Sequence, residues 1–430
     1  MKSRAQKINK ERANSSPASA LSLNNPYRVS LGYLNNSTKS KEYTRNLNYP
    51  KGITSKVASS KENKSDLLVT TTVKVSDYRK LRDELLEAVK GIVRDMDLRV
   101  GICMKSLGSD NNIATFPQIL KEKNGRVHAH NIMTCGSVWL CPVCSSRISE
   151  ERREELDRAL KNNPDLLPVL VTFTLQHHRG DELIAVLERL NKALLTLKQG
   201  YSWVKFQDTY KVKAYASSLE ITFSNENGWH PHKHLLFFLE KDADLEGFER
   251  DITARYIKII ERLGGYASEF HAVDCRSGTA EANSYIAKWG ITYEFTKANL
   301  KKGRGESYSV WDLALLAKSE KWAFMAFREY ALATFRKKAI TWSKGARELL
   351  GIGEEQTDEQ VANKEVEVEE EAEVIATLSP YLWNRIVSDA VQEEVFTVAD
   401  KGGADMLMLF FRKMKYPVSR EGEKLILWIR

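Results

Sequence analysis

Between residues 166 and 289 the hydrophobic period switches repeatedly between two and 3.6, and the order of those switches is the strongest constraint on the fold. "LLPVLVTFTLQ" is a β-branched run with a proline near its start and a glycine soon after its end, so it reads as a strand. "DELIAVLERLNKALLTLK" has apolar residues at helical spacing. "VKAYASSLEITFS" and "HPHKHLLFFLE" read as two strands joined by "NENGW", whose Asn and Gly suit a hairpin. "DLEGFERDITARYIKIIERLG" reads as a helix stopped by Gly264 and Gly265. "SEFHAVD" is a short strand, and "TAEANSYIAKW" is a helix with Thr279 at its N-cap. The order β-α-β-β-α-β, followed by one more helix, predicts an α+β fold of the RNA-recognition-like plan. An antiparallel sheet is backed by helices in that plan.

A chain of 430 residues is too long for one small core, and its composition shifts mark boundaries. Residues 1–75, rich in Ser, Asn and Lys, read as a disordered basic and polar arm. Residues 76–160 read as a helical and zinc-binding segment, from "DYRKLRDELLEAVKGIVRDM" to "ISEERREELDRAL". Residues 161–350 hold the alternating strands and helices. Residues 351–430 read as an acidic linker and a small helical region. The net charge of +8 favours an anionic partner, with nucleic acid first. No run of membrane-spanning length and no leader pattern is present, so a cytoplasmic location without membrane contact is expected. In that setting five cysteines read as thiols or metal ligands.

"CGSVWLCPVC" places Cys135, Cys141 and Cys144 at zinc-knuckle spacing. Three thiolates leave one tetrahedral position, for Cys103 or for His128 or His130. Cys275 stands apart as a core or strand-end thiol. In "GWHPHKHLLFFL" the alternate residues His230, His232 and His234 share one face of a strand. His232 and His234 form the ligand pair best placed for a divalent ion, and Glu220 on the preceding strand can stand beside them. Two imidazoles, one carboxylate and open positions suit Mg(II) or Mn(II) polarising a phosphate oxygen. On the helix "EANSYIAKWG", Glu281, Tyr285 and Lys288 are three or four residues apart and share a face. A tyrosine oxygen can attack phosphorus, with Lys288 orienting the phosphate and Glu281 acting as a base.

"TFTLQH", "GWHPHKHLLF" and "EANSYIAKWG" resemble the three successive motifs of plasmid rolling-circle replication initiators, in the single-tyrosine branch of the HUH endonuclease superfamily. "CGSVWLCPVC", "KKGRGESYSVWDLA" and "WSKGARELL" extend the resemblance over roughly residues 100–350. It implies an HUH fold with an added catalytic helix, preceded by a zinc-binding segment. It implies Tyr285 as nucleophile, His232, His234 and Glu220 as metal ligands, and Glu281 as the carboxylate that activates water in the terminating step. It further implies nicking at a plasmid double-strand origin where the DNA is single-stranded. A 5′-phosphotyrosine link and a 3′-OH primer result, and a host helicase and DNA polymerase are the partners. Two positions depart from the family pattern: Lys233 stands between the paired histidines, and Met104 follows Cys103 where glycine is more familiar. Lys301, Lys302 and Arg304 are candidates for gripping backbone phosphates. An HUH-type transposase shares this chemistry, and a non-catalytic zinc-dependent DNA-binding regulator would share the cysteines and the basic charge.

Overall fold

The computed structural model describes residues 75–108, 113–287, 307–363 and 372–429, without the side chains of 75–78 and 284–287. Residues 1–74 of the expected arm, Lys288, the Lys301, Lys302 and Arg304 cluster, and residues 364–371 of the acidic stretch lie outside the described residues.

The helix Val75–Ile92 leads into the cysteine segment, where β1 (Gln118–Lys121) and β2 (Val127–His130) pair as an antiparallel hairpin. The helix Pro142–Asn162 then starts earlier than its charge pattern predicts. Pro142 opens it because a missing N–H costs nothing at that end, and Cys141 caps it.

A second sheet follows, from β3 (Leu166–Phe173), β4 (Val212–Ser224), β5 (Gly228–Glu240), β6 (Val273–Ser277), β7 (Ser307–Tyr308) and β8 (Ile340–Trp342). Its order is β6-β3-β5-β4-β7, with β8 also on β4, and every described pairing is antiparallel. The helices Leu183–Leu197 and Leu245–Arg262 lie between β3 and β4 and between β5 and β6 in the chain. In each case a third strand separates the two they connect. The α+β class and the antiparallel sheet agree with the sequence reading.

Two details differ from that reading. A second helix, Tyr201–Thr209, precedes β4; Gly200, at φ +72°, separates it from the helix before, and Trp203 and Phe206 bury its inner side. β6 begins at Val273 rather than near Ser268, because residues 268–272 form a turn held by His271 N–H donating to Ser268 O at 3.1 Å.

Strand periodicity divides the core. Odd-numbered Val169, Val171, Leu235 and Phe237 pack with the helices Leu183–Leu197 and Leu245–Arg262, through Leu190 and Ile252. Even-numbered Leu170, Leu236 and Phe238 pack on the other face with Leu156 and Ala159 of the Pro142–Asn162 helix and Ala282 of the helix Thr279–Ala287.

The C-terminal region adds the helices Pro380–Ser388 and Gln392–Lys413 and the strands β9 (Glu373–Leu378), β10 (Val418–Glu421) and β11 (Leu425–Trp428). It differs from the expected linker and small helical region because β9 pairs antiparallel with β1, closing a five-stranded sheet ordered β10-β11-β9-β1-β2. The buried Trp383 locks this junction, its indole Nε1 donating to the Met104 carbonyl at 2.7 Å. None of the described helices is long and apolar enough to cross a membrane.

Candidate functional site

The site starts from the β4–β5 hairpin. Ser224 pairs with Gly228 around residues 225–227, and Gly228 takes φ +73°, the left-handed conformation that ends a three-residue hairpin loop. A Cβ there would stand 3.5 Å from the Arg179 backbone, so the chain after β3 passes close against the hairpin tip. This register sets Glu220 opposite His232, and Thr222 opposite His230. From the other side β3 sets Thr172 opposite His234.

Glu220, His232 and His234 therefore come together, with one potential ligand atom of each lying within 4.8 Å of the others. His234 Nε2 and Glu220 Oε2 are 2.9 Å apart. Neighbouring donors of an octahedral ion with bonds near 2.1 Å are separated by about 3 Å, so this edge fits a divalent cation. His232 Nε2 is buried and has no hydrogen-bond partner among the described residues, which a bound ion would remedy. Burial lowers the His232 pKa, against the pull of Glu220, and a neutral imidazole is the form a metal takes.

Thr172 Oγ1 lies 3.0 Å from His234 Nδ1. A hydroxyl both donates and accepts. It accepts Nδ1–H when Nε2 is a ligand, and donates to Nδ1 when Nε2–H points at Glu220, so it serves either tautomer. Lys233 is an odd-numbered residue and belongs to the opposite face of β5 from the three histidines. Burial, with repulsion from Lys198 and Lys337, pushes its ammonium down to about 8.

His177 completes the cluster and had no assigned role in the sequence reading, although it ends the stretch "TFTLQH" that Thr172 begins. Its Nδ1 is 3.1 Å from the Asn227 carbonyl, which only accepts, so Nδ1 carries the hydrogen. Its Nε2 contacts His230 Nδ1. In the neutral ring Nε2 is the acceptor, so His230 Nδ1 donates and His230 Nε2 is left as an acceptor. Burial lowers the pKa of both rings, that of His230 to about 4 with added repulsion from His232 and His177.

The helix Thr279–Ala287 begins directly after β6, at Gly278 (φ +110°), whose N–H donates to the Pro168 carbonyl at 2.9 Å. Ala282 is buried on the even-numbered face of the sheet and Glu281 is exposed. Position 285 follows Ala282 by one turn of backbone; the Tyr285 side chain and all of Lys288 lie outside the described residues.

The second group is Cys103, Cys135, Cys141 and Cys144, all buried. Three of the sulfur separations are 3.4 Å for Cys141–Cys103, 3.6 Å for Cys135–Cys144 and 3.7 Å for Cys103–Cys144. A tetrahedron with metal–sulfur bonds of about 2.3 Å has edges of about 3.8 Å, so the group can bind a metal such as zinc. Cys103 is the fourth sulfur. His128 instead sits 3.4 Å from the Glu122 carboxylate, and neither His128 nor His130 joins the group. Burial pushes the Cys141 thiol up, and a cation offsets that cost by binding thiolate. The Cys144 N–H also donates to Cys141 Sγ at 3.4 Å. Met104 takes φ +65°, which explains why glycine suits this position. Here the Met104 N–H donates to Met133 O at 2.7 Å, and its carbonyl receives the Trp383 indole.

Comparison with known proteins places these features in context. Residues 126–258 match a family model described as "Replication protein". The chain is similar to "Protein rep" of Streptomyces lividans, 24% identical over 293 residues, covering 51% of this chain and 64% of that protein. It is also similar to a "Neomycin resistance protein" of Streptomyces cyanogenus, 24% identical over 158 residues, covering 31% of this chain and 36% of that protein. The match thus spans under two thirds of each relative's length. No solved structure matches the chain.

Proposed function

We propose that this chain is a rolling-circle replication initiator that nicks the origin strand of its DNA with Tyr285. The phenol oxygen bonds to phosphorus as its proton leaves. The bond from phosphorus to the 3′ oxygen breaks, and that oxygen takes up a proton. The products are a 5′-phosphotyrosine link on the protein and a 3′-OH that primes a host polymerase, aided by a helicase. Glu281 activates the water of the terminating step, and Lys288 orients the phosphate. Glu220, His232 and His234 would hold Mg(II) or Mn(II), whose charge polarises a phosphate oxygen. The four cysteines would hold a structural Zn(II).

One observation carries the reading. The helix that contains position 285 packs, through Ala282, on the same face of the sheet to which the even-numbered His232 and His234 belong. The match of residues 126–258 to a replication protein family supports it. The test incubates the full chain with Mn(II) and a labelled origin-strand oligonucleotide, then resolves covalent adducts on a denaturing gel. The wild type is expected to form an adduct and Tyr285→Phe none. An equal adduct in the variant overturns the assignment of the nucleophile.

A further inference from the structure

A cavity of ≈ 640 Å³ opens beside the metal-ligand trio. Its walls are the exit of β3, through Gln176 and His177, the hairpin, through Thr222 and His230, and the 264–272 loop, through Tyr266 and His271. The His230 and His232 rings are 4.2 Å apart between centroids, so the cavity borders the trio directly.

Its chemistry narrows what can enter. Among the described residues the lining has no lysine or arginine, and its one carboxylate is Glu226. A phosphate finds no counter-charge among these residues. A flat, uncharged heteroaromatic ring finds apolar area together with amide, hydroxyl and imidazole groups, which is how small-ligand pockets fix an orientation.

The rim adds a second, independent observation. Tyr266 is 62% exposed and Phe270, on the same loop, is 86% exposed. Large aromatic rings left in water at the mouth of such a cavity are the stacking surfaces that single-strand binders offer to bases. The loop is held in place. Gln176 N–H donates to Tyr266 O at 3.2 Å, Thr174 Oγ1 to His271 O at 2.7 Å and Thr174 N–H to Ala272 O at 2.9 Å.

We propose that this cavity receives one unstacked nucleobase of single-stranded DNA, from a nucleotide adjoining the cut phosphate, with Tyr266 as its stacking surface. The inference rests on the nuclease reading above and names how its substrate is gripped. The phosphate stays at the Glu220, His232 and His234 trio while the neighbouring base enters the cavity.

The test uses the full chain and a short oligothymidylate carrying one 2-aminopurine, moved stepwise along the strand. Binding of the wild type is expected to change the probe's fluorescence at one or two positions. Tyr266→Ala should lose that change and bind roughly tenfold more weakly, while Tyr266→Phe, which keeps the ring, should retain both. Tyr266 is exposed, so its truncation leaves the core intact. An alanine variant that binds and responds like the wild type overturns the proposal, as does a wild type that responds at no position. The covalent adduct, scored on the same protein preparations with Mn(II) and the origin-strand oligonucleotide, separates the two ideas. Adduct formation with an unaffected Tyr266→Ala removes the cavity alone. A ring-dependent response without any adduct removes the nuclease reading and keeps the cavity as a single-strand binding site.

Discussion

Thr172 is where single-residue reasoning is sharpest. Its hydroxyl is 3.0 Å from His234 Nδ1 and can lock the ring with Nε2 free for a metal. Thr172→Val keeps the shape and removes the lock. We expect affinity for Mn(II) at the trio to fall roughly tenfold, read by calorimetric titration; unchanged affinity would mean that His234 is oriented by something else. Asp83 offers a pH-dependent case. Burial raises its pKa above the ordinary 3.8, against the pull of Arg82, and Oδ2 has no hydrogen-bond partner among the described residues. A carboxyl raised on folding favours the folded state below its unfolded pKa, and that contribution is lost as pH rises through the folded value. Asp83→Asn should therefore stabilise the protein at pH 8 by about 1 kcal/mol and progressively less toward acid, measured by urea unfolding at several pH values. The row His230, His232, His234 is legible in the sequence because a period of two is local. The roles of Thr172 and His177 are not. Their partners are 62 and 53 residues away, and only strand pairing brings them together.

At the scale of the element, the Pro142–Asn162 helix ties the cysteine group to the sheet, because Cys141 is both a member of that group and the helix cap. Serine is itself a good cap. Cys141→Ser thus separates the two roles: the helix start survives while the metal position is lost. We expect the variant to contain less than one zinc per chain and to unfold several kcal/mol more easily, as for structural zinc sites generally. A chelator should destabilise the wild type and leave the variant unmoved; equal stability of the two proteins before chelation would remove the structural role. The long elements of the fold are readable, since strands such as β4 and β5 span 13 residues each and carry a clear period. The short ones are not. β10 and β11 have four residues apiece, too few for a period to declare itself, and the helix Tyr201–Thr209 is split from its neighbour by one glycine.

Across the whole molecule, charge and connectivity divide the labour unevenly. Residues 1–74 hold fourteen Lys and Arg against four Asp and Glu, a net +10 against +8 for the entire chain. The anionic-partner argument therefore rests on that segment. Removing residues 1–74 should weaken DNA binding and flatten its dependence on salt, since fewer counterions are released. The check is the binding constant from low to moderate ionic strength; an unaltered slope would move phosphate contact to residues 75–430. Connectivity makes a different demand. β1, at residue 118, pairs at once with β2 but finds its second antiparallel neighbour only at residue 373. At about 5–20 residues per second, a ribosome takes on the order of tens of seconds to cover that gap. Through all of it the β1 edge of the hairpin that flanks the cysteines stays uncovered, so this part of the molecule is the last to be finished although it is among the first to be made.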